Sequence, residues 1–587
     1  MSSAVRSTTL APTANARRAN RTIVLALLAL VFAVFGRSIF FDFSGFDDFL
    51  HVVDNPYFHP INAQHLGQLW THLYHAYMPV TFTVWAALAK TGELPTGDVQ
   101  GVRFNPYLFH AANVVLHAIN VLLVWRILRR FVKSPWPAAA GAAVFAVHPL
   151  QVESVAWISS MKDVLGGMLA LASVLVYLHF VDRPRAWWQY ALATLLFTLA
   201  VLSKGTTIVT PALVVILLLL ERGPREWRAW FLPLAPWFAA APPYLWITSR
   251  QQGDAPLLVW SPLWFRPIEA ADALAFYFRK LIWPVDLAID YGRTPRWVMD
   301  HGTAALACLV VVVVFATATW QWRRRPALLA GLALFVVALA PVLGLVPFIF
   351  QVYSTVADRY LYLPMVGVAL VVADAMERGG RTARVVVITM IAILSVLCVR
   401  QVGIWRDSAS LFTHAIAVNP SNVIGWHGLG TVAEENRDLP AAVNDYRQAV
   451  QNRPDELQSL SSLAHALVRL KGPNDPETKR AYAAFLREGA RRVLLRYPNS
   501  PLAHRKLAEA LQMEGRTDEA TAEFQRAIAV DPKDARSRVE FGQFLEATGH
   551  APQAIEQYQI ALQLHPADAA TVQRLARLRL AEPATLP

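Results

Sequence analysis

Apolar stretches of the length needed for a helix to cross a bilayer, about 20 residues, recur along this chain as far as residue 404. Eleven such segments are expected to be membrane helices: residues 22–41, 106–128, 137–157, 164–181, 188–202, 206–220, 230–248, 303–322, 327–348, 361–375 and 384–402. A chain of 587 residues that is 55% hydrophobic and only 16% charged is neither wholly soluble nor disordered. After Trp405 the composition changes to that of a charge-rich, soluble helical domain. The formal net charge of +12 comes from Lys and Arg clustered in short links between apolar runs, a topology signal and not a nucleic-acid footprint. With Arg17, Arg18 and Arg21 inside, the other clusters (126–133, 183–185, 222–228, 323–325 and 378–384) fall on the same side. Residues 1–21 then form an inner tail, the first apolar run is a retained helix, and an odd number of spans carries the C-terminal domain outside. The outer loops are residues 42–105, 148–163, 250–300 and 350–360. The two cysteines, Cys308 and Cys398, both lie in apolar runs, so no disulfide framework is expected.

The soluble part repeats. Pro420, Pro454, Pro498, Pro532 and Pro566 are spaced by 34, 44, 34 and 34 residues, the period of tetratricopeptide helix pairs. Trp426, Leu429, Gly430, Ala442, Tyr446 and Ala449 fill one repeat; Leu507, Ala520, Phe524 and Ala527, then Gly542, Ala554, Tyr558 and Ala561, fill others. Small residues let paired helices approach and large ones fill the gap between repeats. An insertion is expected near residues 471–477, and a leading half-repeat at Phe412 and Ala415. Such a solenoid either binds a peptide or protein in its groove or serves as a structural cap.

Ionisable residues concentrate in the outer loops. Asp47 and Asp48 follow the first span within Phe43-Ser44-Gly45-Phe46-Asp47-Asp48-Phe49. Adjacent carboxylates raise one another's proton affinity, which suits a general base or a metal ligand; the alternative is a solvated acidic turn. Glu153 and Asp163 flank the link between the third and fourth spans, where ionisable groups are functional by default. Lys204 and Arg359 stand at outer ends of later spans and are candidates for holding a lipid-linked phosphate, or else they pair with neighbours. Residues 270–283 form an amphipathic stretch suited to the interface. His51, His59, His65, His72 and His75 lack regular ligand spacing, and no Walker loop, GxGxxG or HExxH occurs.

Together, Asp47-Asp48, the run His148-Pro149-Leu150-Gln151-Val152-Glu153-Ser154-Val155-Ala156-Trp157 with Lys162-Asp163, Lys204, Asp358-Arg359-Tyr360-Leu361-Tyr362-Leu363-Pro364 and the trailing repeats resemble the transmembrane-and-tetratricopeptide-repeat proteins. These are relatives of protein O-mannosyltransferases in the GT-C glycosyltransferase superfamily. The resemblance implies an all-α protein: a polytopic GT-C-like helix bundle over residues 22–404 and a tetratricopeptide α-solenoid over 405–587. It implies transfer of a sugar, mannose among the candidates, from a polyprenyl-phosphate donor to a hydroxyl acceptor, with inversion. Asp47 and Asp48 inherit the catalytic-base role; Arg359, Lys204, Glu153 and Asp163 are the candidate donor-phosphate residues. Where eukaryotic relatives often carry an acidic residue after the lysine, this chain has Gly205, and Tyr77-Met78-Pro79 lacks the arginine many place before the proline.

The expected partners are a polyprenyl-phosphate sugar, membrane lipid and a protein or peptide acceptor recruited by the repeats, without nucleic acid. The Ala- and Arg-rich composition points to a bacterial inner membrane with periplasmic repeats. No cofactor is assigned; a divalent metal on Asp47 or Asp48 stays open. The competing readings are a lipid or glycan acceptor and a non-catalytic scaffold.

Overall fold

The computed structural model describes residues 14–94, 96–97, 103–224, 227–251, 259 and 261–581. Among these no β-strand forms, only isolated bridges pairing Tyr74 with Ala76 and Glu93 with Phe104. The chain divides into two units, residues 1–422 and 423–587, so that helix Ser408–Val418, with buried Phe412 and Ala415, is grouped with the first.

In the first unit, ten of the eleven expected segments carry a principal helix. Five helical stretches are long and apolar enough to cross a membrane: Asn15–Phe40, Pro106–Leu128, Ile158–Asp182, Gly205–Arg222 and Gly380–Arg406. Shorter apolar helices include Pro135–Val147, Trp187–Ser203, Ala304–Trp320 and Pro326–Val342. Two expected spans are interrupted. The third stops at Val147 because His148, extended ahead of Pro149, cannot continue it, and a short helix Val152–Ala156 follows. The seventh, over residues 230–248, contains Pro233, Pro236, Pro242 and Pro243 and breaks into short pieces, since each proline removes a backbone donor. Elsewhere proline starts helices: Pro106 follows Asn105, whose side chain accepts from the Tyr107 amide at 2.9 Å.

Helices Pro106–Leu128 and Met161–Asp182 pack in the middle of this unit. Helix Gly380–Val402 instead exposes Val385, Val386, Ile388, Ile393 and Val396. Apolar surface on that scale needs covering, and together with the five helical stretches long and apolar enough to cross a bilayer it marks a membrane protein. At about 1.5 Å per residue, the 22-residue helix Met161–Asp182 spans about 33 Å. Its two ends differ chemically: Asp163 lies at the start and Asp182, among arginines, at the finish.

The second unit is a tetratricopeptide solenoid. Its helix pairs are Val423–Glu435 with Leu439–Asn452, Leu457–Lys471 with Pro476–Arg496, Pro501–Met513 with Thr517–Val530, and Ala535–Ala547 with Ala551–Leu564. Ala442, Tyr446, Ala449, Ala520, Phe524, Ala527, Ala554, Tyr558 and Ala561 are all buried. A Cβ on Gly430 would lie 2.5 Å from the Tyr446 ring and one on Gly542 2.6 Å from the Tyr558 ring, so both positions require glycine for packing. The extra residues of the 44-residue interval do not form a loop insertion near 471–477. They mainly lengthen helix Pro476–Arg496, which has 21 residues against 14 in Leu439–Asn452.

Candidate active site

The link between the first helix and the rest of its unit is held by Asp48. This carboxylate is buried and accepts four hydrogen bonds: Oδ2 from the Ser44 amide (2.9 Å) and hydroxyl (2.8 Å), Oδ1 from the Ser159 amide (2.9 Å) and hydroxyl (2.6 Å). A carboxylate offers about four lone-pair positions, so Asp48 is saturated. Burial pushes its carboxyl up to about 6 against the pull of these donors. Its neighbour Asp47 is half-buried, and among the described residues its carboxylate accepts no hydrogen bond. Beyond the pair, His51 is buried with its ring stacked on Trp85 at 5.8 Å. Burial, reinforced by Lys162, lowers its imidazole to about 3, so it is neutral at pH 7.

Trp157 joins the parts. Its ring stacks on Phe46 (4.8 Å) and Trp405 (5.9 Å), and its carbonyl accepts from Asn113 Nδ2 at 2.8 Å. Lys162 Nζ lies 5.3 Å from the ring centroid and the Arg359 guanidinium 5.6 Å. Two carboxylate–cation pairs complete the site. Glu153 accepts from Arg359 Nη1 and, at 3.0 Å, from the Arg359 amide, and both side chains are buried. Burial pushes the Glu153 carboxyl up, and Arg359 opposes it. The Arg359 guanidinium also faces Phe350 at 4.3 Å and Tyr360 at 5.1 Å. Lys204 pairs with Asp163, whose second oxygen, Oδ2, is buried without a partner among the described residues. Burial lowers the Lys204 ammonium while Asp163 holds it up. Asp163, Lys204 and Arg359 share a small cleft with Tyr360 and Tyr362.

The structure therefore brings Asp48 to the 157–160 link, and Glu153, Asp163, Lys204 and Arg359 into one neighbourhood. Lys162 carries part of the sequence resemblance but is given no role at the site by it. It has no ion pair or hydrogen bond among the described residues, yet it interacts electrostatically with Asp47, Asp163, Lys204 and Arg359. Its signal was present, a lysine at the first turn of an apolar helix. Gly205 has its own steric setting: a Cβ there would meet the Tyr244 hydroxyl.

Asp48 has no lone pair to spare, Asp47 stands near a lysine, and among the described residues no three His, Cys, Asp or Glu groups gather to hold an ion. Helix Arg266–Ile282, the amphipathic stretch, buries Glu269, Asp272 and Lys280 while Ile282 and the following Trp283 are exposed.

Fold and site define a polytopic helical membrane protein with a buried ionic cluster at one helix end, followed by a tetratricopeptide unit. Residues 106–246 match the family described as dolichyl-phosphate-mannose-protein mannosyltransferase, and residues 400–456 and 506–569 match tetratricopeptide repeats. Human protein O-mannosyl-transferase TMTC1 is 25% identical over 419 residues, 61% of this chain and 47% of that protein. Mouse protein O-mannosyl-transferase TMTC3 is 22% identical over 583 residues, 89% of this chain and 61% of that protein. The resemblance read from the sequence is thus matched by relatives of the transmembrane-and-tetratricopeptide-repeat type; the chain covers about half to three fifths of their length. Among solved structures, the tetratricopeptide protein YrrB aligns with 20% identity and a TM-score of 0.21, over 28% of this chain and 81% of that one.

Proposed function

We propose that this protein is a membrane glycosyltransferase that moves a sugar, mannose first among candidates, from a polyprenyl-phosphate carrier to a Ser or Thr hydroxyl of a protein. The observation that carries the reading is Asp47: a carboxylate without a hydrogen-bond partner among the described residues, next to a saturated twin and within the field of Lys162. The mannosyltransferase relatives support the donor and acceptor classes.

In the step proposed, the acceptor oxygen bonds to the anomeric carbon as the bond from that carbon to the phosphate oxygen breaks. The hydroxyl proton passes to Asp47, and the polyprenyl phosphate leaves with the electron pair, so the anomeric configuration inverts. Asp48 is the positioning residue, since its bonds to Ser44 and Ser159 fix the turn that carries Asp47. Lys162, Lys204 and Arg359 supply positive charge for the leaving phosphate, while Glu153 and Asp163 hold two of these cations in place. The end bearing Asp47 is assigned to the outer face because the opposite helix ends carry the arginine clusters. The location that follows is a bacterial inner membrane with periplasmic repeats, which recruit the acceptor.

The test is transfer of radiolabelled sugar from polyprenyl-phosphate mannose, and from other polyprenyl-phosphate sugars, to envelope proteins. Asp47→Asn is expected to lose 10²- to 10⁴-fold in rate with its thermal unfolding unchanged. Full activity in a folded Asp47→Asn variant would remove the base assignment. No transfer from any donor would remove the enzyme reading and favour a scaffold.

A further inference from the structure

The helix ends remote from Asp47 enclose a second, chemically distinct cavity of about 330 Å³. It lies where the first helix, Ala14–Phe35, meets the last turns of Pro106–Leu128 and Met161–Asp182, and Asn20, Trp125, Arg126, Arg129, Arg130 and His179 line it together with Leu175. Every strong polar group there except the Asn20 amide and the His179 imidazole is a pure donor. Two of these donors are orphaned: Trp125 Nε1 and Arg130 Nε are buried without a partner among the described residues, and Trp125 is only 2% exposed. Buried donors normally find an acceptor, and none of the described side chains supplies one.

Nearby acids are committed elsewhere. Asp182 accepts from Arg130 and Arg222, and Glu221 from Arg130. Glu377 accepts from the amides of Lys133 and Ser134 at 3.2 and 3.3 Å and acts on Arg129 electrostatically, without an ion pair among the described residues. Among the described residues Arg126 has only the Trp125 ring, 5.3 Å away, and Arg129 donates to the Lys133 carbonyl at 3.1 Å. Two cations without an acid bonded to them thus flank two orphan donors. The cavity is at the end of membrane-crossing helices, with Leu175 in its wall, where a headgroup would arrive with its chains already in the bilayer.

We propose that this cavity binds the phosphate of an anionic glycerophospholipid from the surrounding leaflet, with Arg126 and Arg129 neutralising it and Trp125 Nε1 and Arg130 Nε donating to its oxygens. The proposal is independent of the transferase reading, because it uses none of the residues near Asp47.

The experiment is native mass spectrometry of the purified full chain in neutral detergent, titrated with dioctanoyl phosphatidylglycerol, dioctanoyl phosphatidylcholine or inorganic phosphate. Phosphatidylglycerol is expected to bind at least tenfold more tightly than phosphatidylcholine. Arg126→Gln/Arg129→Gln is expected to weaken phosphatidylglycerol about tenfold or more, and Trp125→Phe, which keeps all the charges, to weaken it several-fold. Equal retention by both variants, or equal binding of the two lipids, would overturn the site. Inorganic phosphate displacing phosphatidylglycerol at equal concentration would overturn the lipid as its source and leave a free-anion site.

Discussion

Replacing Glu153 by Gln tests how the ionic cluster is held together. Glu153 and Arg359 side chains are 3% and 9% exposed, so the pair is out of water. A buried lysine or carboxyl left alone escapes by changing its protonation state, but arginine does not deprotonate in proteins. Glu153→Gln therefore leaves a full buried charge, and removing one member of a buried pair costs about 3–5 kcal/mol. Two features offset part of it. The Gln oxygen still accepts one bond, and the aromatic faces of Phe350, Tyr360 and Trp157 remain at 4.3, 5.1 and 5.6 Å from the guanidinium, worth about 1 kcal/mol or more when desolvated. The expected net loss is about 3 kcal/mol. Adding Arg359→Met removes the stranded charge and fills the space with apolar volume, so the double variant is expected within about 1 kcal/mol of wild type. The assay is reversible unfolding of the full chain with SDS in mixed micelles, followed by tryptophan fluorescence. A single variant within about 1 kcal/mol of wild type, or a double variant no more stable than the single, would refute the reasoning.

Two further outcomes can be checked alongside the transfer assay and the lipid titration. His51, lowered to about 3 from 6.5, takes up a proton when unfolded but not when folded as pH falls below 6.5. Unfolding then gains protons, so stability falls with falling pH, by about 3 kcal/mol between pH 7 and 4. His51→Phe keeps the ring on Trp85 and should lose that slope; Asp48, raised to about 6, has the opposite sign and is common to both proteins. An unchanged slope in unfolding measurements across that range would remove the assignment. In the repeats, Gly430→Ala forces a Cβ against the Tyr446 ring; an overpacking cost of about 1–3 kcal/mol should appear as faster amide exchange in helices Val423–Glu435 and Leu439–Asn452, and equal exchange would show that the ring yields freely.

The elements most legible in the sequence are those whose signal is local. A repeat buries its face against its neighbour, so the 34-residue period and the offsets of Gly430, Ala442 and Tyr446 carry the solenoid in a single line of residues. Membrane helices satisfy their own backbone, and a run of apolar residues suffices to announce one. Even the failure over residues 230–248 is written there, in four prolines, though hydropathy alone outweighs them in a window count.

The division of labour in the ionic cluster was decided by tertiary structure. Asp47 and Asp48 are chemically identical neighbours, and only Ser159, 111 residues away, takes up the lone pairs of one and leaves the other open. Arg359 and Lys204 read alike, as phosphate-holding cations or as partners of unnamed neighbours, until Glu153, 206 residues from the first, and Asp163, 41 from the second, are found bonded to them. Lys162, adjacent to Asp163, has no ion pair among the described residues. The physical reason is that a charge's role depends on which opposite charges and donors share its low-dielectric surroundings. Those are set by how distant helix ends meet, a relation that no local period in the sequence records.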